Sequence, residues 1–146
     1  MTPAAMNDVD RYQAYARVPF MQLLGVQREF SRDGRARLVV QTRPELENMI
    51  HAMHGGVVAT LVDVVMASAA VSKIDFMRTA VTLNLNTSYL QPGRGRLTAD
   101  GEVLDTDIDG EVVHCQALVT DEDGRTVARA VGSFRYLDHP LTLFPR

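Results

Sequence analysis

His54-Gly55-Gly56-Val57-Val58-Ala59-Thr60-Leu61-Val62-Asp63-Val64-Val65-Met66-Ala67-Ser68-Ala69-Ala70 is the stretch whose reading decides the fold. Two glycines after a histidine open it, an apolar run without Pro or further Gly follows, and one acidic residue stands near its middle. The pattern predicts a buried helix. At helical spacing Val58, Leu61, Val62, Val65, Met66 and Ala69 occupy most of the cylinder, so cover is expected nearly all round, not on one stripe. Asp63 is the anomaly, because a carboxylate in apolar surroundings costs several kcal/mol unless it is paired or neutralised.

The glycines suggest a use for it. A helix start leaves four N–H groups without intrahelical partners and carries the positive end of the dipole. Without Cβ atoms, Gly55 and Gly56 let a polarised carbonyl oxygen come up to those donors. Asp63 lies about 13 Å further along the same helix than His54. The two ends therefore serve one small group only if a second copy packs antiparallel across a dimer axis.

Outward from the helix, residues 8–24 read as helical in two pieces, Asp8 to Arg17 and Pro19 to Leu24, with Phe20, Leu23 and Leu24 expected to plug one end of the core. Gly25 to Thr42 reads as a hairpin about Arg32-Asp33-Gly34. Arg43 to Met53 leads into the helix. Beyond it come four strand candidates, Thr79 to Leu90, Arg96 to Asp105, Val112 to Thr120 and Thr126 to Leu137, parted by Pro/Gly- and Asp/Gly-rich turns. A hairpin, one buried helix and a meander give an α+β domain with an antiparallel sheet wrapped on a helix. In the strand after the helix, Val81, Leu83 and Leu85 are expected on one face and Thr82, Asn84 and Asn86 on the other.

The 146 residues fit one domain, with 1–24 as a helical extension and 25–146 as the sheet-and-helix body. A net charge of −3 argues against nucleic acid or an anionic membrane as the main partner. The single cysteine, Cys115, excludes an intrachain disulfide, fits a reducing compartment and is expected in the core. The first residues have neither basic n-region nor apolar h-region, and the central run is short of a membrane span and holds Asp63. A soluble cytoplasmic protein is the expectation.

Asn48, then His54-Gly55-Gly56, then Asp63 in an apolar helix, then Thr82 in a strand that ends Tyr89-Leu90-Gln91-Pro92-Gly93, resembles the hotdog-fold acyl-CoA thioesterases of the phenylacetate-pathway (PaaI-like) type. The likeness runs from about Gly25 to Leu137. It implies a hotdog fold and a dimer with two shared active sites, commonly paired into a homotetramer. Carried over by residue, it implies Asp63 as nucleophile or general base, the Gly55 N–H as oxyanion donor, His54 and Asn48 as orienting groups, and Thr82 as the residue that places the attacking water. No cofactor or metal is implied. The resemblance departs at His51, where the family usually has glycine.

Other readings stay open. Asp63 could be a structural carboxylate paired with an arginine, Asn48 a turn residue, and Thr82 part of a solvent face. Gly56, His51, Arg94 and Arg96 are candidates for holding substrate, the two arginines through coenzyme A phosphates, although a solvated turn explains them as well. His51 and His54 lack a further metal-ligand cluster, and His114 and His139 look structural or exposed. The leading expectation is hydrolysis of a medium-chain, aryl or arylacetyl thioester. The alternatives are a non-catalytic acyl-CoA sensor and a hotdog dehydratase or hydratase.

Overall fold

The hairpin at the start of the body is closed by two residues in the left-handed region, Asp33 (φ 52°) and Gly34 (φ 78°), the tight turn whose twist suits paired strands. In the computed structural model, which describes residues 17–138, this turn joins β1 (Gln27–Arg32) to β2 (Arg35–Gln41). Before it stands a short helix, α1 (Pro19–Leu24), and after it a 3₁₀ turn at Pro44–Leu46. The long helix α2 (Gly55–Lys73) is followed by β3 (Thr79–Tyr89), β4 (Arg96–Thr106), β5 (Val112–Thr120) and β6 (Thr126–Leu137). Apart from Arg17, the expected Asp8–Arg17 helix lies outside the described residues, as does His139.

The six strands form one antiparallel sheet in the order β1-β2-β4-β5-β6-β3, and α2 touches all of them. This is the hotdog arrangement. Only β4, β5 and β6 make a meander; β3 crosses to the far edge and pairs with β6 alone. The crossing follows from length, since a 19-residue helix runs about 28 Å and spans several strands at 4.7–4.9 Å spacing.

By length and apolar composition alone α2 could cross a membrane, but here it is the filling of the sheet. Val58, Leu61, Val62, Val65 and Met66 are all at most 2% exposed, and each such side chain contributes roughly 1.5–3 kcal/mol by leaving water. The sheet comes so close that a Cβ on Gly101 of β4 would stand 2.7 Å from the Val65 carbonyl oxygen. At its C-terminal end α2 is tied to the hairpin through buried serines: Gly34 N–H donates to Ser72 Oγ (3.0 Å), and Ser31 Oγ–H to the Ser68 carbonyl (2.9 Å). Burial pushes the Cys115 thiol up to about 12.

Two packing expectations are corrected. In α1 the residues turned inward are Met21 and Leu24, both 7% exposed, whereas Phe20 and Leu23 point out. The cover of α2 is also incomplete. Gly56, Thr60, Asp63, Val64 and Ala67 form one stripe, exposed or half-exposed, along its length. These positions recur every three or four residues on one side, which this chain's own sheet does not close. Asp63 is therefore half-exposed rather than sunk among apolar groups.

Candidate active site

The helix start is organised by three short-range devices. His54 is the N-cap of α2 and its Nδ1 accepts the Gly56 N–H at 2.9 Å. An accepting Nδ1 has no proton, so the neutral imidazole carries its hydrogen on Nε2 and offers it outward. Gly55, the first helical residue, has no carbonyl four residues back within the helix for its N–H to reach. That donor sits at the positive end of the dipole.

The segment before the helix folds on Asn48. Its Oδ1 accepts the N–H groups of Ile50 and Ala52, each at 3.1 Å, while its own N–H donates to the Ala52 carbonyl at 2.8 Å. His51 lies in that loop with φ 57°, a left-handed conformation glycine adopts freely and other residues adopt at a cost. Its imidazole is exposed and 3.3 Å from Glu47 Oε2. The loop is fastened to the helix start by His54 N–H on the Leu46 carbonyl and by Met53 N–H on the Gly93 carbonyl, both 2.8 Å. Arg94 reaches across to donate to the Ile50 carbonyl at 3.1 Å.

Two and a half turns down α2, Thr82 Oγ1 of β3 donates to Asp63 Oδ1 at 2.6 Å. A β-bulge makes this possible. The pairing of β3 with β6 slips between Thr82 and Asn84, so that Thr82 opposes buried Phe134 and Leu85 opposes buried Gly132, while Asn84 opposes Ser133. Strict alternation would have put Thr82 with Asn84 and Asn86, and opposite Leu85. The bulge at Leu83 turns Thr82, Leu85 and Thr87 toward the helix and sends Asn84 and Asn86 outward.

The structure thus gathers Asn48, His51, His54, Gly55, Gly56 and Arg94 at the helix start, and Asp63 with Thr82 about 12 Å away along the axis. Arg96 belongs to neither group: its guanidinium pairs with Glu29 Oε1 at 3.1 Å, and its N–H donates to Glu122 Oε1. A cleft of about 270 Å³ opens beside Gly55, lined by Asn48, Ile50, Met53, Val58, Tyr89 and Leu90 among others. Its lining is free of formal charge. Tyr89 is the residue that the sequence did not single out for the site; its hydroxyl donates to the Gly55 carbonyl at 3.0 Å. Among the described residues no three His, Cys, Asp or Glu side chains are grouped so as to chelate an ion.

A family model described as a domain of unknown function (DUF4442) matches residues 11–134. The chain belongs to the DUF4442 family. This DUF4442 chain is 32% identical over 126 residues to the "Putative esterase" of Halobacterium salinarum, covering 79% of itself and 82% of that relative. Among solved structures it is similar to a Shewanella oneidensis protein related to the thioesterase superfamily (27% identity, TM-score 0.73, 84% and 90% of the two chains covered). It also shares its fold with the Escherichia coli PaaI protein from the phenylacetic acid degradation operon (21% identity, TM-score 0.78, 86% and 89% covered). The DUF4442 chain is a hotdog protein of the thioesterase superfamily.

A second polar chain lies on the outer face of the sheet, away from Asp63. His114 Nδ1 is 2.9 Å from Ser133 Oγ, and its Nε2 is 2.8 Å from Asp107 Oδ1. The distances match those of a nucleophilic triad, but the setting does not. Ser133 is mid-strand in β6, paired on both sides with β3 and β5, so its neighbouring amides are spent in the ladders and leave no oxyanion donors. The chain fastens the β4–β5 turn to the sheet.

Proposed function

We propose that this protein hydrolyses acyl-CoA thioesters, with Asp63 as the carboxylate that activates water or attacks the carbonyl, in a homodimer whose two sites are each shared between protomers. The observation that carries the reading is the Thr82–Asp63 hydrogen bond on the open stripe of α2, which orients one carboxylate oxygen and leaves the other for water. The Gly55 N–H, aided by the helix dipole, receives the developing oxyanion, and the His54 Nε2–H is a second donor at that end. A thiolate leaves without strong acid assistance, so this small set of groups is sufficient.

The dimer is supported by the 12 Å gap along α2 and by the edge position of β3, which pairs on one side only. A second β3 docked on that edge brings the open stripe of one helix toward the start of the other. The uncharged cleft beside Gly55 suits a medium-chain, aryl or arylacetyl group. Arg94, whose one described bond goes to a carbonyl, is better placed for a coenzyme A phosphate than Arg96, which Glu29 already neutralises.

Thiol release from a panel of short, long and aryl acyl-CoAs, with Asp63→Asn as control, tests the reading. Release that is lost in the variant is the expected result. Tight acyl-CoA binding without release from any member would replace hydrolysis by a sensor role.

A further inference from the structure

The peptide that joins Gly55 to Gly56 is held from both ends by side chains. Its N–H donates to His54 Nδ1 at 2.9 Å, and its carbonyl accepts the Tyr89 hydroxyl at 3.0 Å. The Tyr89 ring also stands over Gly55, where a Cβ would lie 3.4 Å from its Cε1. Two successive glycines are the freest backbone the chain can offer, and they sit in the first turn, where helices fray. The Gly55 N–H belongs to the preceding His54–Gly55 peptide, which meets this one at the Gly55 Cα, so its direction follows where that Cα is held.

The phenol is not needed for the fold. The Gly55 carbonyl is in the helix and has its own i+4 amide as partner, so Tyr89 fills the second lone pair of an acceptor that is already satisfied. The side chain is also 54% exposed and adds little burial. What it adds is a fixed direction for the glycine peptide and one wall of the cleft that begins there.

We propose that Tyr89 is a positioning residue for thioester hydrolysis: its hydroxyl locks the Gly55–Gly56 peptide and with it the Gly55 Cα, on which the adjoining His54–Gly55 peptide turns, so that the Gly55 N–H points at the thioester oxygen, and its ring bounds the acyl cleft. This rests on the thioesterase reading above. Tyr89→Phe removes the lock and keeps the wall, whereas Tyr89→Leu removes both. Tyr89→Phe is expected to lower kcat about threefold to tenfold, the scale of one lost hydrogen bond, with KM and Tm at the wild-type values. Tyr89→Leu is expected to raise KM as well. A readout independent of turnover accompanies these: in ¹⁵N–¹H spectra the Gly55 amide resonance moves and Gly56 amide exchange quickens in Tyr89→Phe. Wild-type kcat together with an unmoved Gly55 resonance in Tyr89→Phe would overturn the proposal. A wild-type protein that releases no thiol from any acyl-CoA sinks the thioesterase reading instead, and the amide readout still decides whether Tyr89 holds the glycine peptide.

Discussion

Thr82 Oγ1 and Asp63 Oδ1 are 2.6 Å apart, a hydrogen bond between the edge strand and the middle of the central helix that exists because β3 bulges at Leu83. Asp63→Asn is expected to keep the fold and lose roughly two to four decades of kcat, the scale of a positioned base. Thr82→Val keeps the shape and removes the donor. A hydrogen bond to a charged group is worth about 1.5–3 kcal/mol, so kcat should fall about tenfold to a hundredfold with KM little changed. Thr82→Val at wild-type turnover would show that the bond only packs β3 on α2.

Gly55→Pro tests the oxyanion donor with little collateral change. Proline is favoured at the first helical position, and His54 already has the extended conformation (φ −57°, ψ 136°) that a following proline requires. The substitution deletes the N–H and should cost about 10²–10³ in kcat while circular dichroism and Tm stay near wild type. Full activity in a folded Gly55→Pro protein would remove this amide from the mechanism.

If each site takes Gly55 from one protomer and Asp63 from its partner, two dead variants can complement. Co-refolded Asp63→Asn and Gly55→Pro should form heterodimers with one intact site, and recover about a quarter of wild-type activity from statistical mixing of a twofold dimer. Activity no higher than that of the separate variants, in a sample whose heterodimers are shown by native mass spectrometry, would place both groups of a site in the same chain.

Gly101→Ala is expected to be costly although alanine is the smallest substitution. The new Cβ would stand 2.7 Å from the Val65 carbonyl oxygen and 2.9 Å from its carbon, both backbone atoms, so the strand must back away from the helix. Overpacking of this kind costs about 1–3 kcal/mol, to be read from urea unfolding. In the same core Cys115 is 1% exposed with its thiol pushed up to about 12. An aromatic disulfide reagent at pH 8 should therefore label it only on unfolding, and rapid labelling of native protein would contradict the packing.

Glu111 supplies a pH test remote from the site. Its carboxylate accepts from Arg78 Nη2 at 2.7 Å, which holds its pKa below the ordinary 4.5. A lowered folded value means that the contribution to stability is present above the ordinary value and is lost as pH falls through the lowered one. The Tm difference between wild type and Glu111→Gln should accordingly shrink below about pH 4, and a difference that widens there would reverse the assignment.

The sequence by itself determined what depends on neighbours along the chain. Helical periodicity and the glycine pair defined α2 and set Asp63 apart on it, and Asp-Gly and Pro-Gly turns bounded the strands, because caps, turns and amphipathic period are local in their physics; Asn48 and Thr82 joined the candidate site through the family resemblance. Only the tertiary structure decided where non-local pairing takes over. It moved β3 to the far edge, and a bulge that no local pattern announces set which face Thr82 presents. Phe20 and Leu23 were read as core because hydrophobicity is a property of the residue, while inward direction is a property of packing. The same holds for Arg96, neutralised by a glutamate 67 residues away, and for Tyr89, whose hydroxyl meets the Gly55 carbonyl only once the edge strand has closed against the helix start.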